Sequence, residues 1–185
     1  MTDLPAAPRI APLPPSDDGR QLNIFRTLGH NRPLYKGFLA LGGHLLGGGG
    51  LPAREREIVI LRTGFRAASE YEYGQHTRIG RDAGLTDAEI ARLVDDEVAG
   101  WDAADAALVA MVDELCADDV VSNRTWERLA SRWSDAQLME LVVLAGYYRL
   151  VSGLLNSVGV ALEPDTPGWP EGAGRLRRAP REATS

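Results

Sequence analysis

A carboxylate and an imidazole, nineteen positions apart, are the residues of this sequence best suited to chemistry. Glu57 lies in the run LPAREREIVILRTGFR, and His76 lies in the later run SEYEYGQHTRIGRDAGL. The two runs predict a helix, a tight break near Ala68-Ser69 and a second helix, and therefore an antiparallel hairpin. Because a helix rises about 1.5 Å per residue, Glu57 and His76 are expected about 15 Å and 10 Å from the break, close enough in level to face each other.

The second helix of this hairpin places further polar groups beside the histidine. Ser69, Glu72 and His76 stand at positions i, i+3 and i+7 and therefore share one stripe of the helix. A buried carboxylate raises the pKa of a nearby imidazole and fixes which ring nitrogen holds the proton. Such a group is suited to proton transfer near neutral pH. Spacing alone does not separate this arrangement from a solvated Glu-His pair or a satisfied core histidine.

The same segment resembles the carboxymuconolactone decarboxylase family, which includes the alkylhydroperoxidase D (AhpD)-like proteins. The resemblance is strongest over residues 51–93. The redox branch of that family combines an upstream glutamate with a Cys-x-x-Cys-x-x-x-His motif, and Glu57 and His76 occupy the glutamate and histidine positions. The two cysteine positions fall on Ser69 and Glu72. The decarboxylase branch also lacks this cysteine pair and typically carries an EYEW-type segment, which reads EYEY here.

The missing cysteine pair bears on the choice between the chemistries of the family. Peroxide reduction of the redox-branch type needs a thiolate nucleophile and a resolving thiol. The sole cysteine, Cys116, lies on a different predicted helix and is expected to be an inert core residue. An AhpD-like peroxidase with peroxiredoxin activity is therefore disfavoured and stays the second hypothesis. A non-catalytic oligomer that binds a small ligand is the third.

The favoured hypothesis is a carboxymuconolactone decarboxylase-like lyase that needs no cofactor and acts on a small carboxylated or lactone-like substrate. Loss of CO₂ from such a substrate leaves an extended enolate, which must be protonated at a distant carbon. His76 is the candidate acid/base, and Glu57 is its orienting partner. The predicted substrate-binding residues are Tyr71, Glu72, Tyr73, Arg62, Arg66 and Ser69. Guanidinium groups bind carboxylates through two hydrogen bonds, although ordinary ion pairs for the arginines and helix packing for the tyrosines are the simpler alternatives.

Eight helices are predicted between residues 19 and 162, because the alternating pattern and the Asn-Gly turns of strands are missing. The fold class expected from the pattern and the resemblance is an all-α, AhpD-like bundle in which the hairpin carries the site. The predicted helices span 19–29, 33–47, 52–67, 69–83, 87–95, 102–117, 123–132 and 135–157. The glycine run 47–50 is expected to form a turn.

Two proline-rich segments flank this domain. Five of the 11 prolines lie in residues 5–15 and four in residues 164–180. Proline lacks the backbone donor that a helix needs, so extended arms are predicted at 1–18 and 163–185. The second arm ends in a basic stretch that contains Arg175, Arg177, Arg178 and Arg181.

The composition of this 185-residue chain disfavours several classes of binding partner. Its net charge of -6 disfavours nucleic-acid binding. The first residues lack a signal-peptide pattern and no run of about 18 apolar residues is present, which favours a cytoplasmic protein that does not bind a membrane. No metal site is predicted, because the histidines lack H-x-x-x-H spacing. His44 is the histidine that could approach the pocket, in this chain or in a neighbouring one.

The eighth predicted helix indicates self-association. Between Leu138 and Leu155 its only charged residues are Glu140 and Arg149. A helix that is apolar nearly all round is buried in a core or against another subunit. The family resemblance implies a homo-oligomer, a trimer or a hexamer, with pockets near the subunit contacts.

Overall fold

The computed structural model describes residues 4–15, 21–95 and 100–170, and these ranges contain helices and no β-strand. The prediction of an all-α fold with eight helices is confirmed. The helices are α1 Asn23–Leu28, α2 Arg32–Gly43, α3 Ala53–Arg66, α4 Glu70–Asp82, α5 Asp87–Arg92, α6 Ala103–Asp118, α7 Asn123–Ala130 and α8 Asp135–Val158.

The hairpin of α3 and α4 lies at the centre of the domain. Its break uses Ala68, whose φ of 52° lies in the left-handed region and costs roughly 1–2 kcal/mol for a residue with a Cβ. The amide of Ser69 donates to Gly64 O at 2.8 Å, and Asn156 of α8 donates to Ala67 O at 2.8 Å. A Cβ on Gly64 would lie 3.3 Å from the Cβ of Glu72, so this glycine allows the two helices to approach closely.

Helix α3 is buried on almost every side. Four consecutive residues have no exposed surface: Ile58, Val59, Ile60 and Leu61. The helix packs against α4, α6 and α8. A central helix of this kind fixes the side chains that it shares with α4, because they have little room to move.

The largest departure from the predicted helices follows α2. The helix ends at Gly43, and the backbone widens into a π-helical turn from His44 to Gly48. The predicted turn at 47–50 is therefore wrong in its first half, since Gly47 and Gly48 still belong to the π-helical turn. Beyond it, the Glu140 carboxylate accepts a hydrogen bond from Gly50 N at 2.9 Å, and this bond anchors the chain as it leaves the turn.

Helix α8 has one buried and one exposed apolar side. Leu141, Leu144 and Leu155 are almost completely buried, whereas Met139 and Leu150 are 64% and 59% exposed. By length and composition alone α8 could also cross a membrane, but half of its most apolar stretch is buried within the domain, as in the core helix of a soluble protein.

The described parts of both proline-rich arms lack helix and pack on the domain. Arg9 N donates to Val158 O at 2.7 Å, and Arg26 Nε donates to Leu13 O at 2.6 Å. The ring of Trp169 stacks on Tyr73 with the centroids 4.8 Å apart. The basic stretch predicted at the end of the second arm lies outside the described residues.

Candidate active site

The hairpin brings Glu57 and His76 into direct contact. His76 Nδ1 lies 2.6 Å from Glu57 Oε2, and the two side chains are almost completely buried. Because an ionised carboxylate only accepts hydrogen bonds, Nδ1 carries the proton and donates it to Glu57. The other ring nitrogen, Nε2, is thereby left to act as base when the ring is neutral and as acid when it is charged.

A second carboxyl group stands beside the free ring nitrogen. His76 Nε2 lies 3.6 Å from Glu72 Oε2, one turn earlier on α4. This distance is too long for a hydrogen bond. His76 Nε2 and the Glu72 carboxyl group can therefore each form a hydrogen bond with a substrate atom. On the far side of the cluster, Arg56 Nε donates to Glu57 Oε1 at 3.3 Å.

Burial and charge shift the titration of this cluster. Burial raises the pKa of Glu72 to about 7, assisted by the charge of Glu57 and opposed by that of His76. Burial alone lowers the pKa of His76, but the hydrogen bond that His76 donates to Glu57 and the charges of Glu57 and Glu72 outweigh it, so the pKa is raised. The pKa of Glu72 therefore lies near neutral pH and that of His76 lies above its ordinary value, and perturbed groups of this kind are typical of proton-transfer sites.

A cavity of about 220 Å³ lies against the cluster. Glu72 and His76 form part of its α4 side, together with Tyr71 and Gln75. Side chains of α1, α2, the π-helical turn and α8 supply the rest of the wall, which is mainly apolar. The cavity thus places the proton-transfer groups against a half-open space for a small molecule.

Two neighbouring tyrosines of α8 complete this wall. The Tyr148 ring meets the His76 ring edge to face, with the centroids 5.0 Å apart. Burial raises the pKa of Tyr148 well above its ordinary value, so its phenol stays protonated. Tyr147 donates to Phe38 O at 2.9 Å, which ties α8 to α2. A Cβ on Gly42 would lie 2.6 Å from the Tyr147 hydroxyl, so only glycine allows this approach.

A chain segment beyond α8 holds part of the α4 wall in place. Glu163 Oε1 accepts from Tyr71 Oη at 2.8 Å and from the backbone amide of Asn23 at 2.7 Å. The other oxygen accepts from Gln75. Glu163 thereby connects the start of α1 to two residues that line the cavity.

The two arginines predicted to bind substrate have other partners. Arg62 forms a two-pronged ion pair with Asp113, with both distances 2.7 Å, and donates to Leu93 O at 2.9 Å. Arg66 Nε donates to the same Asp113 at 2.7 Å. Neither arginine lines the cavity. This geometry fits the simpler alternative, in which both arginines form ion pairs that tie α3 to α6.

Tyr73 and Ser69 also lie away from the cavity wall. Tyr73 points from the opposite side of α4, where its hydroxyl donates to Ile90 O at 3.3 Å and its ring stacks on Trp169. Ser69 precedes the first helical residue of α4, is fully buried, and has a hydroxyl with no hydrogen-bond partner among the described residues. Of the predicted substrate-binding residues, the structure thus brings Tyr71 and Glu72 to the cavity with His76.

The remaining candidates of the sequence lie on other surfaces. Cys116, expected in the core, is half-buried and lines a groove between α6 and α8. His44 is exposed and lies 3.6 Å from Glu140, outside the cavity wall. No group of three or more His, Cys, Asp or Glu side chains in the described ranges is arranged to hold a metal ion.

Sequence reasoning missed the wall opposite α4. Tyr147 and Tyr148 are adjacent aromatic residues in an otherwise aliphatic helix, and this pair was the available signal. Glu163 and Gln75 gave no signal, because their contact joins positions 88 residues apart. Packing between distant segments decides which apolar residues line a cavity, and local periodicity does not contain that information.

Comparison with known proteins agrees with this architecture. Residues 32–113, from the start of α2 into α6, match the model of the carboxymuconolactone decarboxylase family. None of the curated proteins matches the chain significantly.

Solved structures share the fold at low sequence identity. An uncharacterised peroxidase-related protein with an alkylhydroperoxidase AhpD core, from Ralstonia eutropha JMP134, superposes with a TM-score of 0.69 at 17% identity, covering 84% of this chain and 93% of the other. A peroxidase-related protein from Silicibacter sp. TM1040 gives 0.70 at 16% identity, covering 77% and 76%. The debrominase Bmp8 in its apo form gives 0.71 at 14% identity, covering 84% and 92%.

The family match includes the hairpin that carries Glu57 and His76, and the structural matches share the fold. The predicted resemblance is therefore confirmed at the level of family and fold. Residues 32–113 of this chain match the carboxymuconolactone decarboxylase family, and the chain has the AhpD-like helical fold.

Proposed function

We propose that this protein is a cofactor-independent enzyme that moves a proton on a small carboxylated or lactone-like substrate, in a decarboxylation or an isomerisation. The single observation that carries the proposal is the Glu57–His76 pair, whose free ring nitrogen faces Glu72 at the wall of a half-open cavity. The family match and the enzyme-like structural matches support an enzyme.

His76 is the group that transfers the proton. In an isomerisation, neutral Nε2 removes a proton from the carbon next to the substrate carbonyl, and the electron pair moves into an extended enolate. The resulting imidazolium then returns the proton to the distant carbon. In a decarboxylation, the electron pair of the broken C–CO₂ bond forms the same enolate, and the imidazolium supplies the proton. General acid–base catalysis of this kind contributes about 10²–10⁴-fold to the rate.

Glu57 and Glu72 support the histidine in different ways. Glu57 fixes the tautomer by accepting from Nδ1 and balances the charge of the imidazolium. Glu72 keeps its proton up to about pH 7 because it is buried, so it can donate a hydrogen bond to the enolate oxygen. A neutral carboxylic acid in an apolar site is an effective donor for this purpose.

The test is proton exchange in a lactone whose carbonyl is one carbon away from a double bond. The wild-type protein is incubated in D₂O with α-angelica lactone, a methyl-substituted β,γ-unsaturated butenolide, and with a panel of small carboxylic acids. NMR then follows deuterium incorporation, double-bond migration and CO₂ loss. We expect exchange by the wild type and a loss of about 10²–10⁴-fold in H76Q.

The matched variant E57Q is expected to lose less, because the base remains while its orientation is weakened. Circular dichroism and thermal melting establish that both variants fold. Full activity of a folded H76Q, or no proton transfer by the wild type on any probe of the panel, would contradict the proposal.

We also propose that the protein is a homo-oligomer. Apolar side chains of α2 and α8 remain exposed in the single chain, among them Leu34, Leu41, Met139 and Leu150. Exposed apolar patches of this kind are typical of surfaces that associate. Light scattering of the wild type and of M139E/L150E tests the proposal, which requires a larger mass for the wild type.

A further inference from the structure

Among the described residues, His76 is the one side chain on the cavity wall that can carry a positive charge. The ionisable side chains on its wall are Glu72, His76 and three tyrosines, and no arginine or lysine of the described residues lines it. The remaining wall is dominated by apolar groups such as Ile24, Phe38 and Val151. A carboxylate of a bound substrate would therefore meet no guanidinium or ammonium partner from the part of the chain that the structure describes.

The nearby cations are already engaged. Arg56 is paired with Glu57 at 3.3 Å on the far side of the cluster. Arg62 is 1% exposed and is saturated by Asp113 and backbone carbonyls. Any charge on His76 itself is balanced by Glu57 at 2.6 Å and faced by Glu72 at 3.6 Å. The cluster therefore has no surplus positive charge to offer an anion.

Electrostatics then disfavours an anionic ligand. Removing a carboxylate from water is costly unless it is paired and hydrogen-bonded. In this cavity the ligand would also face Glu72, whose own ionisation adds a like charge. A neutral molecule meets neither penalty, and its apolar part gains from contact with the α1, α2 and α8 side of the wall.

The size and layout of the cavity indicate the shape of such a molecule. A volume of 220 Å³ equals the space of about seven water molecules at about 30 Å³ each, which suits one small substituted ring. Four polar side chains of the wall, Tyr71, Glu72, Gln75 and His76, belong to α4, whereas α8 contributes Tyr148 and a Tyr147 hydroxyl that already donates to Phe38 O. A ligand carbonyl is therefore expected to turn toward α4.

We propose that the cavity selects an uncharged small lactone or cyclic enone, with its carbonyl toward α4, and rejects the corresponding carboxylate. This inference rests on the proposed function and narrows it, because a substrate without a carboxylate cannot lose CO₂. The reaction is then an isomerisation. One C–H bond next to the carbonyl breaks and its proton passes to His76 Nε2. The electron pair forms the enolate, and a new C–H bond forms at the distant carbon with no oxidant, reductant or co-reactant.

The experiment compares three probes that share one ring. They are the methyl-substituted butenolide, the same ring with a carboxymethyl group, and the methyl ester of that carboxymethyl compound. Binding to the wild-type protein is measured by ligand-observed NMR at pH 7.5, and isomerisation is followed by ultraviolet absorbance. We expect the methyl compound and the ester to bind at least about tenfold more tightly than the carboxylate.

Two variants at the rim of the cavity sharpen the test. Ile79 lies on α4 at the cavity and is 39% exposed, so a longer side chain fits there. I79K places an ammonium group at the rim and is expected to remove or reverse the preference. I79Q is the control of similar size without charge, and it should keep the preference of the wild type.

Each outcome decides one question. Equal or tighter binding of the carboxylate by the wild type overturns the inference, and so does failure of all three probes to bind at millimolar concentration. Rejection of both the ester and the acid also overturns it, because size would then be the cause. Binding of the neutral probes without turnover contradicts the proposed function and leaves the selectivity intact. Turnover with preference for the acid overturns the selectivity and leaves the proposed function intact.

Discussion

Helix α3 carries two buried ionic clusters that differ in how completely their atoms are paired. In the cluster near its C-terminal end, Arg62 meets both oxygens of Asp113, and Arg66 meets one of them. In the cluster nearer its N-terminal end, Glu57 binds one nitrogen of His76 at 2.6 Å while the other nitrogen stands 3.6 Å from the nearest carboxyl group. One cluster is closed by protein groups, and the other is open to a cavity.

This difference separates stabilisation from chemistry. A buried charge that is fully paired holds its helices in register, and removing its partner is strongly destabilising. A buried group with an unpaired atom at a cavity has capacity left for a ligand and carries a perturbed pKa, which is typical of functional sites. The same helix thus provides a structural cluster and a candidate active site about one and a half turns apart.

Breaking the closed cluster is expected to have the largest effect on stability. D113A leaves the buried guanidinium of Arg62 without its carboxylate and should lower the free energy of unfolding by about 3–5 kcal/mol. Urea unfolding measures the loss. The matched control is D118N, which removes an exposed carboxylate from the same helix and should change stability little. A loss below about 1 kcal/mol in D113A would contradict the structural role of the cluster.

The open cluster should respond to pH, and the sign follows from Glu72. Its folded pKa is raised from 4.5 to about 7, so between these values the folded state holds a proton that the unfolded state has lost. The free energy of unfolding therefore falls as pH rises from about 4.5 to 7 and stays lower above that range. E72Q lacks this titration. It should match the wild type at pH 4.5 and exceed it by on the order of 2 kcal/mol at pH 8.

Thermal melting across this pH range measures the difference between the two proteins. D82N is the control, since it removes an exposed carboxylate from the same helix and should run parallel to the wild type. In the activity assay, the wild-type rate is expected to decline above about pH 7, where Glu72 loses its proton. E72Q keeps a hydrogen-bond donor beside His76 and should not show this decline. Parallel stability curves for E72Q and the wild type would show that burial does not hold the proton on Glu72.

The sequence predicted the open cluster better than the cavity it serves. Glu57 and His76 could be paired because both lie on one hairpin, where helix rise fixes their levels. Arg62 and Arg66 were misplaced because their partner Asp113 lies on α6, and nothing local to α3 reveals it. Tyr148 was missed for the same reason. The helices themselves were predictable from periodicity and caps, whereas the π-helical turn was not, because glycine marks a break without specifying its form.

Substitution of Glu163 is expected to have the smallest effect on stability. The pairing of this residue is intermediate between those of the two clusters. Its carboxylate accepts from Asn23 N, Tyr71 and Gln75, yet the residue is only half-buried, so water can replace part of what is lost. In E163Q the amide oxygen can still accept from Asn23 and Tyr71, and the Gln75 amide can turn to accept from the new NH₂ group. We therefore expect a loss of about 1 kcal/mol or less in E163Q.

E163L, which removes every acceptor, should cost more and weaken ligand binding, because Tyr71 and Gln75 line the cavity. Urea unfolding and titration with the methyl-substituted butenolide distinguish the two variants. If E163Q costs as much as D113A, the charge of Glu163 rather than its hydrogen-bond geometry holds the cavity wall. Glu163 would then resemble the closed cluster although it supports the cavity wall. Fully paired charges would no longer be confined to regions away from the cavity.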